Sequence, residues 1–196
     1  MKRTFDVAVV LLAAPPAALV AGAMAAVLAL ELRGNPLFIQ ERVGLHGKPF
    51  KMYKLRTMTA ALAGHEPAHR VDDFETFVFS PPGVVDPRVT RFGAFARKTS
   101  IDEIPNLVNV FLGQMSLVGP RPEVPEIVAQ YPPEYHRRHD VLPGIAGLAQ
   151  VEGRSDLAYD EIMTYDLAYV DNHSLAADFR ILGRTARIVL TGSGAR

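Results

Sequence analysis

The first forty residues carry the sharpest contrast of polarity in the chain. Lys2-Arg3-Thr4-Phe5-Asp6 is rich in charge, Val7 to Leu30 has none, and Glu31 and Arg33 restore it. Those 24 uncharged residues would extend about 36 Å as a straight helix, enough for the apolar core of a bilayer. Three readings fit such a run. One is a secretory signal peptide, with small residues around Ala21 to Ala26. Another is an ordinary spanning helix. The last is a helix that enters the membrane and returns to the same side. Pro15-Pro16 orders them, because two mid-run prolines remove two backbone donors and clash with the preceding turn. Each also disfavours α geometry in the residue before it. The sequence therefore predicts a sharp break at Ala14 to Pro16 and two arms of about two and four turns, neither able to span alone. Basic residues flank both ends, and basic flanks favour the cytoplasmic side. A re-entrant hairpin over residues 1–33 satisfies both flanks and is the preferred reading. Carbonyls freed at the break need partners in the protein, since lipid offers none.

Beyond Arg33 the pattern shortens. Gly34-Asn35-Pro36 is a turn, Leu37-Phe38-Ile39 reads as a short strand or interfacial segment, and Glu41 to Pro49 reads as a polar loop or hairpin tip. Phe50 to Met58, FKMYKLRTM, interleaves apolar residues with Lys51, Lys54 and Arg56. It fits a solvated cationic face on headgroups as well as a cationic wall for a diphosphate. Residues 60–82 show no period and predict a variable loop with one short helix. Asp72-Asp73 within it reads as surface charge. Asp86 to Gly93, DPRVTRFG, is a Pro-anchored turn with two Arg, and Phe92 to Lys98 leads on from it.

The chain is organised around Thr99 to Glu123. Ser100-Ile101-Asp102-Glu103 fits a capping box, with Ser at the N-cap and Glu at N3, and both acids suit the first turn of a helix. That structural account competes with a chemical one. Pro105 should distort the turn. Adjacent carboxylates on a helix also diverge by roughly 100°, so one can attack while the other holds a cation. In the helix that follows, Leu107, Val108, Val110 and Phe111 are expected to be buried, Asn106 and Asn109 to be polar company, and Gly113 to be the stop. Gly119-Pro120-Arg121-Pro122-Glu123 is a stiff turn carrying a guanidinium. Arg97 precedes Asp102 by five residues. An acid pair, cations and a rigid loop are the parts of a phosphate-handling site.

In the last third, Pro125 to Tyr131 reads as a helix ended by Pro132-Pro133. Tyr135 to His139 is a basic cluster suited to headgroups or to solvent. Leu142 to Gly147 is a tight turn whose glycines permit close backbone approach. Arg154 is a candidate for substrate phosphate or a structural ion pair. Ser155-Asp156 is placed to cap a helix through Val170, with Ile162, Tyr165, Leu167 and Tyr169 as its apolar contacts. Leu175 to Leu190 carries Arg180, Arg184 and Arg187 along an amphipathic helix suited to an interface or to packing on the core.

Composition narrows the classes. The 196 residues suit one compact domain, residues 34–196, with the N-terminal element as an appendage. With 21 basic and 21 acidic side chains there is no overall field for nucleic acid, so no nucleic-acid partner is expected. The absence of Cys excludes a disulfide framework and thiolate zinc sites, and no metal site is expected from the His residues.

FKMYKLRTM, DPRVTRFG, RKTSIDEIPNLVNVFLGQMSLVGPRPE and PGIAGLAQVEGR, in that order, resemble the bacterial sugar transferases, and more narrowly the small monotopic phosphoglycosyl transferases. The resemblance runs from Lys2 to about Leu190. It implies an α/β, mostly helical, membrane-associated catalytic domain with a re-entrant N-terminal helix and amphipathic interfacial helices, on the cytoplasmic face of the bacterial inner membrane. The length suits the small class, with no room for further spanning helices or a regulatory domain. The implied reaction moves a phosphosugar from a UDP-sugar to polyprenol phosphate and releases UMP, as the first membrane step of glycoconjugate or exopolysaccharide assembly.

Carried over residue by residue, Asp102 is the nucleophile and Glu103 holds Mg²⁺. Arg97 and Arg121 contact phosphate or nucleotide. Lys54, Arg56 and Arg154 join the substrate-binding set, and Pro15-Pro16 form the membrane kink. Implied partners are the UDP-sugar, polyprenol phosphate and the bilayer, with a homodimer and downstream glycosyltransferases left open. The chain departs from the family pattern in an early proline pair with no Ser before it, in Glu152-Gly153-Arg154, and in Leu148 where an aromatic is usual. The rival from another class is a catalytically silent membrane scaffold that binds nucleotide sugar, against which the intact Asp102-Glu103 pair argues.

Overall fold

The computed structural model describes residues 1–59, 71, 73–78, 86–153 and 157–191. It is mostly helical, with two small sheets. Helix α1 (Lys2–Leu32) is followed by the strands β1 (Leu37–Val43) and β2 (Pro49–Leu55), then helices α2 (Arg91–Lys98) and α3 (Asn106–Phe111). Next come β3 (Ser116–Val118), α4 (Pro125–Val128), β4 (Gly144–Ala146), α5 (Leu148–Glu152), α6 (Tyr159–Asn172) and α7 (Leu175–Thr191). The strands β1 and β2 form an antiparallel hairpin with Leu37 opposite Leu55 and Val43 opposite Pro49. The strands β3 and β4 run parallel, Ser116 opposite Gly144 and Val118 opposite Ala146.

The apolar run forms one continuous helix of 31 residues, with Pro15 and Pro16 inside it. The interruption predicted at Ala14 to Pro16 is therefore absent. Two consecutive prolines remove only two donors, leaving the carbonyls of Leu11 and Leu12 without their usual amides, and the fixed φ of proline is itself helical. This helix is long and apolar enough to cross a membrane. Leu11, Leu12, Leu19, Val20 and Leu30 lie exposed along it.

Both ends of α1 are seated on the same body. Lys2 Nζ donates to Val118 O (3.0 Å), Tyr169 OH (3.2 Å) and Asp178 Oδ2 (2.5 Å). Arg3 caps the C-terminal carbonyls of α3 at Val110 and Phe111. Asp6 Oδ1 accepts from Leu117 N at 3.2 Å. At the far end, Arg33 closes the helix in the left-handed region (φ 50), and Glu31 Oε1 accepts from Phe92 N at 3.3 Å. Phe5, Val9 and Val10 pack with Phe50, Met52, Val110, Leu117 and Tyr169 in the main core.

Helix α3 keeps half of its sequence pattern, with Val110 buried and Leu107 packed on the core as expected, and inverts the other half. Asn106 and Asn109 are buried, while Val108 and Phe111 are each 51% exposed. Asn109 explains the inversion, because its amide serves as a peptide surrogate along the free edge of β2. Its Oδ1 accepts from Tyr53 N (3.2 Å), and its Nδ2 donates to Lys51 O (2.7 Å) and Gln114 Oε1 (2.8 Å). Buried strand-edge groups must be paired, and that requirement outweighs the burial of two apolar side chains. With Phe92 and Phe95 of α2, Leu112 after α3 and Leu37 to Ile39 of β1, these residues leave a broad apolar surface beside a helix that itself packs on α2 and α3. Gly113 (φ +80) ends the helix as expected.

A second core holds Val43, Val124, Ile127, Val128, Tyr131, Tyr159 and Met163. The basic cluster at Tyr135 to His139 belongs partly to it: Arg138 and His139 are buried rather than spread on a surface. Its segment, Pro133–Asp140, is a 3₁₀ helix. Along α6 the buried positions are Tyr159, Met163, Asp166, Tyr169 and Val170; of the predicted contacts, Tyr169 is buried and Ile162 packs on the second core, while Tyr165 and Leu167 are half-buried. Ser155-Asp156, Arg154 and Asp72 lie outside the described residues. Helix α6 is instead capped by Glu161, whose Oε2 accepts from Ala158 N at 2.8 Å.

Candidate active site

The acid pair sits on a tight turn. Pro105 has no amide to offer the carbonyl of Ile101, so an α turn cannot close there. The backbone uses i→i−3 bonds instead: Glu103 N to Ser100 O, Ile104 N to Ile101 O (3.2 Å each) and Leu107 N to Ile104 O (3.0 Å). The result is a 3₁₀ turn over Ile101–Glu103, entered through Ser100 at φ 56 with no side-chain cap. The predicted capping box does not form, because Glu103 turns away from the helix start to meet two cations.

Glu103 Oε1 accepts from Lys54 Nζ at 3.1 Å and from Arg121 Nη2 at 2.8 Å. Burial opposes its charge, but Arg121 and Lys54, through charge and hydrogen bonds together, outweigh burial and hold the carboxyl down at about 2. Asp102 is 9% exposed and its carboxylate accepts no hydrogen bond among the described residues. Burial, then the neighbouring Glu103 charge, pushes it up to about 6, against Lys54, Arg121 and Arg97. Burial and Arg121 lower Lys54 to about 8, against the pull of Glu103 and Asp102. Two adjacent carboxyls are thus driven apart: one firmly ionised and paired, the other unpaired and close to a proton at neutral pH.

The predicted residues divide in consequence. Lys54, Glu103 and Arg121 meet directly, and the exposed Arg97 acts on Asp102 through its charge. Arg56 does not join them; its Nε donates to Met58 O at 3.1 Å, and it makes no hydrogen bond to either acid. Arg154 lies outside the described residues.

The loop under Arg121 is anchored by the predicted close approach of the Leu142 to Gly147 turn and by two arginines, Arg42 and Arg138, that the sequence pattern did not assign to the site. Pro120 O accepts from Gly144 N (2.9 Å) and Arg121 O from Arg138 Nη2 (2.7 Å). Pro122 O accepts from Arg42 Nη1 (3.1 Å) and Glu123 O from Val43 N (2.9 Å). Beside it Gly119 and Gly144 touch backbone to backbone; a Cβ on Gly144 would sit on the Gly119 amide. One signal for Arg138 was present in the sequence. Asp166 falls on the same helical face as Tyr159, Met163, Tyr169 and Val170, and a carboxylate at a core position requires a buried cation.

The model of the family described as bacterial sugar transferase matches residues 1–192. The chain is a bacterial sugar transferase. It is 38% identical over 99% of its length to an uncharacterised sugar transferase, EpsL, of Bacillus subtilis, and spans 89% of that protein. It is 41% identical over 99% of its length to a UDP-glucose:undecaprenyl-phosphate glucose-1-phosphate transferase of Caulobacter vibrioides, spanning 71% of it. A Salmonella typhimurium undecaprenyl-phosphate galactose phosphotransferase is 40% identical over 83% of the chain, which spans 35% of that larger protein. As a member of this family of transferases, the chain presents the acid pair and its cations as the candidate catalytic centre.

Two adjacent carboxylates suit Mg²⁺, a hard cation that takes one or two protein oxygens and completes its shell with water and phosphate. No group of three or more acidic, His or Cys side chains that could hold a resident ion occurs among the described residues. Glu103, with Asp102 beside it, would hold such a cation.

Proposed function

We propose that this bacterial sugar transferase moves a phosphosugar from a UDP-sugar to a polyprenol phosphate, of the undecaprenyl class named in its relatives, and releases UMP. The observation that carries the reading is the unpaired Asp102 carboxylate beside a Glu103 held by Lys54 and Arg121.

An Asp102 oxygen attacks the phosphorus bonded to the sugar. The bond from that phosphorus to the bridging oxygen breaks, and the electron pair leaves with UMP. The phosphosugar is then an acyl phosphate on Asp102. An oxygen of the polyprenol phosphate attacks the same phosphorus, the bond to Asp102 breaks, and the carboxylate is regenerated. Arg121, Lys54 and Arg97 supply the positive field that lets an anion approach a dianionic diphosphate. Mg²⁺, when bound at Glu103, supplies further neutralisation of the diphosphate.

The membrane reading is monotopic, with the domain of residues 34–196 on the cytoplasmic face and α1 re-entering as one helix bent, not broken, at Pro15-Pro16. It is supported by the seating of both ends of α1 on one body and by the apolar surface of α1, α2, α3 and β1. The test is UMP release by purified protein in nanodiscs, with Mg²⁺, a polyprenol phosphate and a panel of UDP-sugars. UMP released with one donor and abolished by EDTA is the expected result. A stoichiometric burst without acceptor, with a phosphosugar mass added to the chain, is expected for the covalent step. Sustained turnover by Asp102→Asn would overturn it.

A further inference from the structure

We propose that Arg138 is a positioning residue for the transfer, acting through Arg121 from behind the site. This rests on the transferase reading above. Arg138 is 4% exposed, and its guanidinium joins three groups. Nη2 donates to Asp166 Oδ2 (2.6 Å) and to Arg121 O (2.7 Å), and Nη1 donates to Tyr131 OH (2.5 Å).

Tyr131 OH lies 2.5 Å from Tyr159 OH, which donates to Glu123 Oε2 at 3.4 Å. Glu123 Oε1 accepts from Arg42 Nη1 at 3.0 Å, and the same nitrogen reaches Pro122 O. Charge is shared through the cluster, with Arg42 on Glu123 and Arg138 on Asp166. A continuous polar network thus runs from α6 through the 3₁₀ segment Pro133–Asp140 to the hairpin. It meets the loop at the carbonyls of Arg121 and Pro122.

The loop needs such a support. Pro120 and Pro122 have no N–H, so the loop is gripped chiefly through its carbonyls. Arg121 precedes a proline, which confines its own backbone. The motion left is a tilt of the rigid loop as a unit, and that tilt would carry the Arg121 guanidinium away from Glu103. Arg138 blocks it at the carbonyl of Arg121 itself. A guanidinium can hold three acceptors in one plane, whereas an ammonium on the same stem cannot reproduce that fork. Asp166 then serves to keep a cation buried beneath the loop, and the sequence residue that mediates the site is still Arg121.

The experiment is a double-mutant cycle on UMP release in nanodiscs, with wild type, Arg138→Lys, Arg121→Ala and the double variant, each checked for folding by thermal melt. Arg138→Lys is expected to lower kcat/KM about 10- to 100-fold, and the double variant to match Arg121→Ala within about twofold, because the second change removes a support whose load is already gone. Multiplying losses, or full activity in folded Arg138→Lys, would overturn the proposal. If Arg138→Lys does not fold, Tyr131→Phe, which removes one acceptor from the same guanidinium, replaces it with an expected loss of about 3- to 10-fold and the same cycle logic. Absence of UMP release from folded wild type with every donor would instead count against the transferase reading. UDP affinity measured on the four proteins then reads the cycle alone, and independent losses there would overturn the positioning role.

Discussion

Glu103 accepts from Arg121 Nη2 at 2.8 Å across eighteen positions of the chain, on the same oxygen that takes Lys54 Nζ at 3.1 Å. One carboxylate oxygen thereby fixes the distance between the acid turn, the hairpin and the Pro-Arg-Pro loop. Arg121→Ala removes one of two cations from that oxygen and one of the three whose charge acts on Asp102. UMP release is expected to fall about 10²-fold. Arg121→Lys is expected to recover only part of it, since the ammonium loses the planar fork. Steady-state kinetics with the preferred donor checks both.

Asp102→Asn is expected to abolish transfer while making the fold more stable at neutral pH. The folded pKa of Asp102 is raised to about 6 from 3.8, so folding binds a proton that the unfolded chain has already lost. The ionised residue therefore costs stability once pH rises through 6, and costs nothing well below 4. In EDTA, a gain on the order of 2 kcal/mol is expected at pH 7.5, shrinking towards zero near pH 4. Melting curves of both proteins across that range test the sign.

His139 runs the other way. Burial, then the charge of Arg138, lowers it to about 4 from 6.5, so between those values the unfolded chain binds a proton that the folded chain refuses. Stability supplied by the neutral ring is full above pH 6.5 and is lost as pH falls through 4. His139→Phe, which keeps a ring stacked on Tyr131 (15° between planes), is expected to flatten the loss of Tm between pH 6.5 and 4.

Asn109→Leu keeps the branching and heavy-atom count of the side chain and makes it apolar, yet it is expected to destabilise the fold by about 3 kcal/mol. It strands the amide of Tyr53 and the carbonyl of Lys51, each buried group costing about 1–3 kcal/mol. Val108→Ala, at an exposed position, is expected to change stability by less than about 0.5 kcal/mol. Denaturant melts in a fixed detergent compare the two.

That contrast marks what the sequence could disclose. Asp102, Glu103 and Arg121 were legible because each lies in a short rigid motif whose chemistry is local. The apolar run was legible for the same reason. Asn109 and Arg138 were not, because a polar residue placed by pattern is assigned to the outside. Their reasons for being inside lie 58 and 28 positions away, at Lys51 and Asp166. The capping-box motif at Ser100 was real as a pattern and lost to a stronger pull, since two cations from distant segments outbid one backbone amide for Glu103.

The bond from Lys2 to Asp178 joins positions 176 apart. During synthesis, α1 leaves the ribosome long before either β3 or α7 exists. The first turn of the helix then has no carbonyl at Val118 and no carboxylate at Asp178 to hold it. Formation of the helix and the completion of its fastening are therefore two events separated by most of translation. The helix is thus fastened in stages, at α2, α3 and β3 first and at Asp178 last, and a chain stalled before α7 would lack the ion pair that completes its first turn.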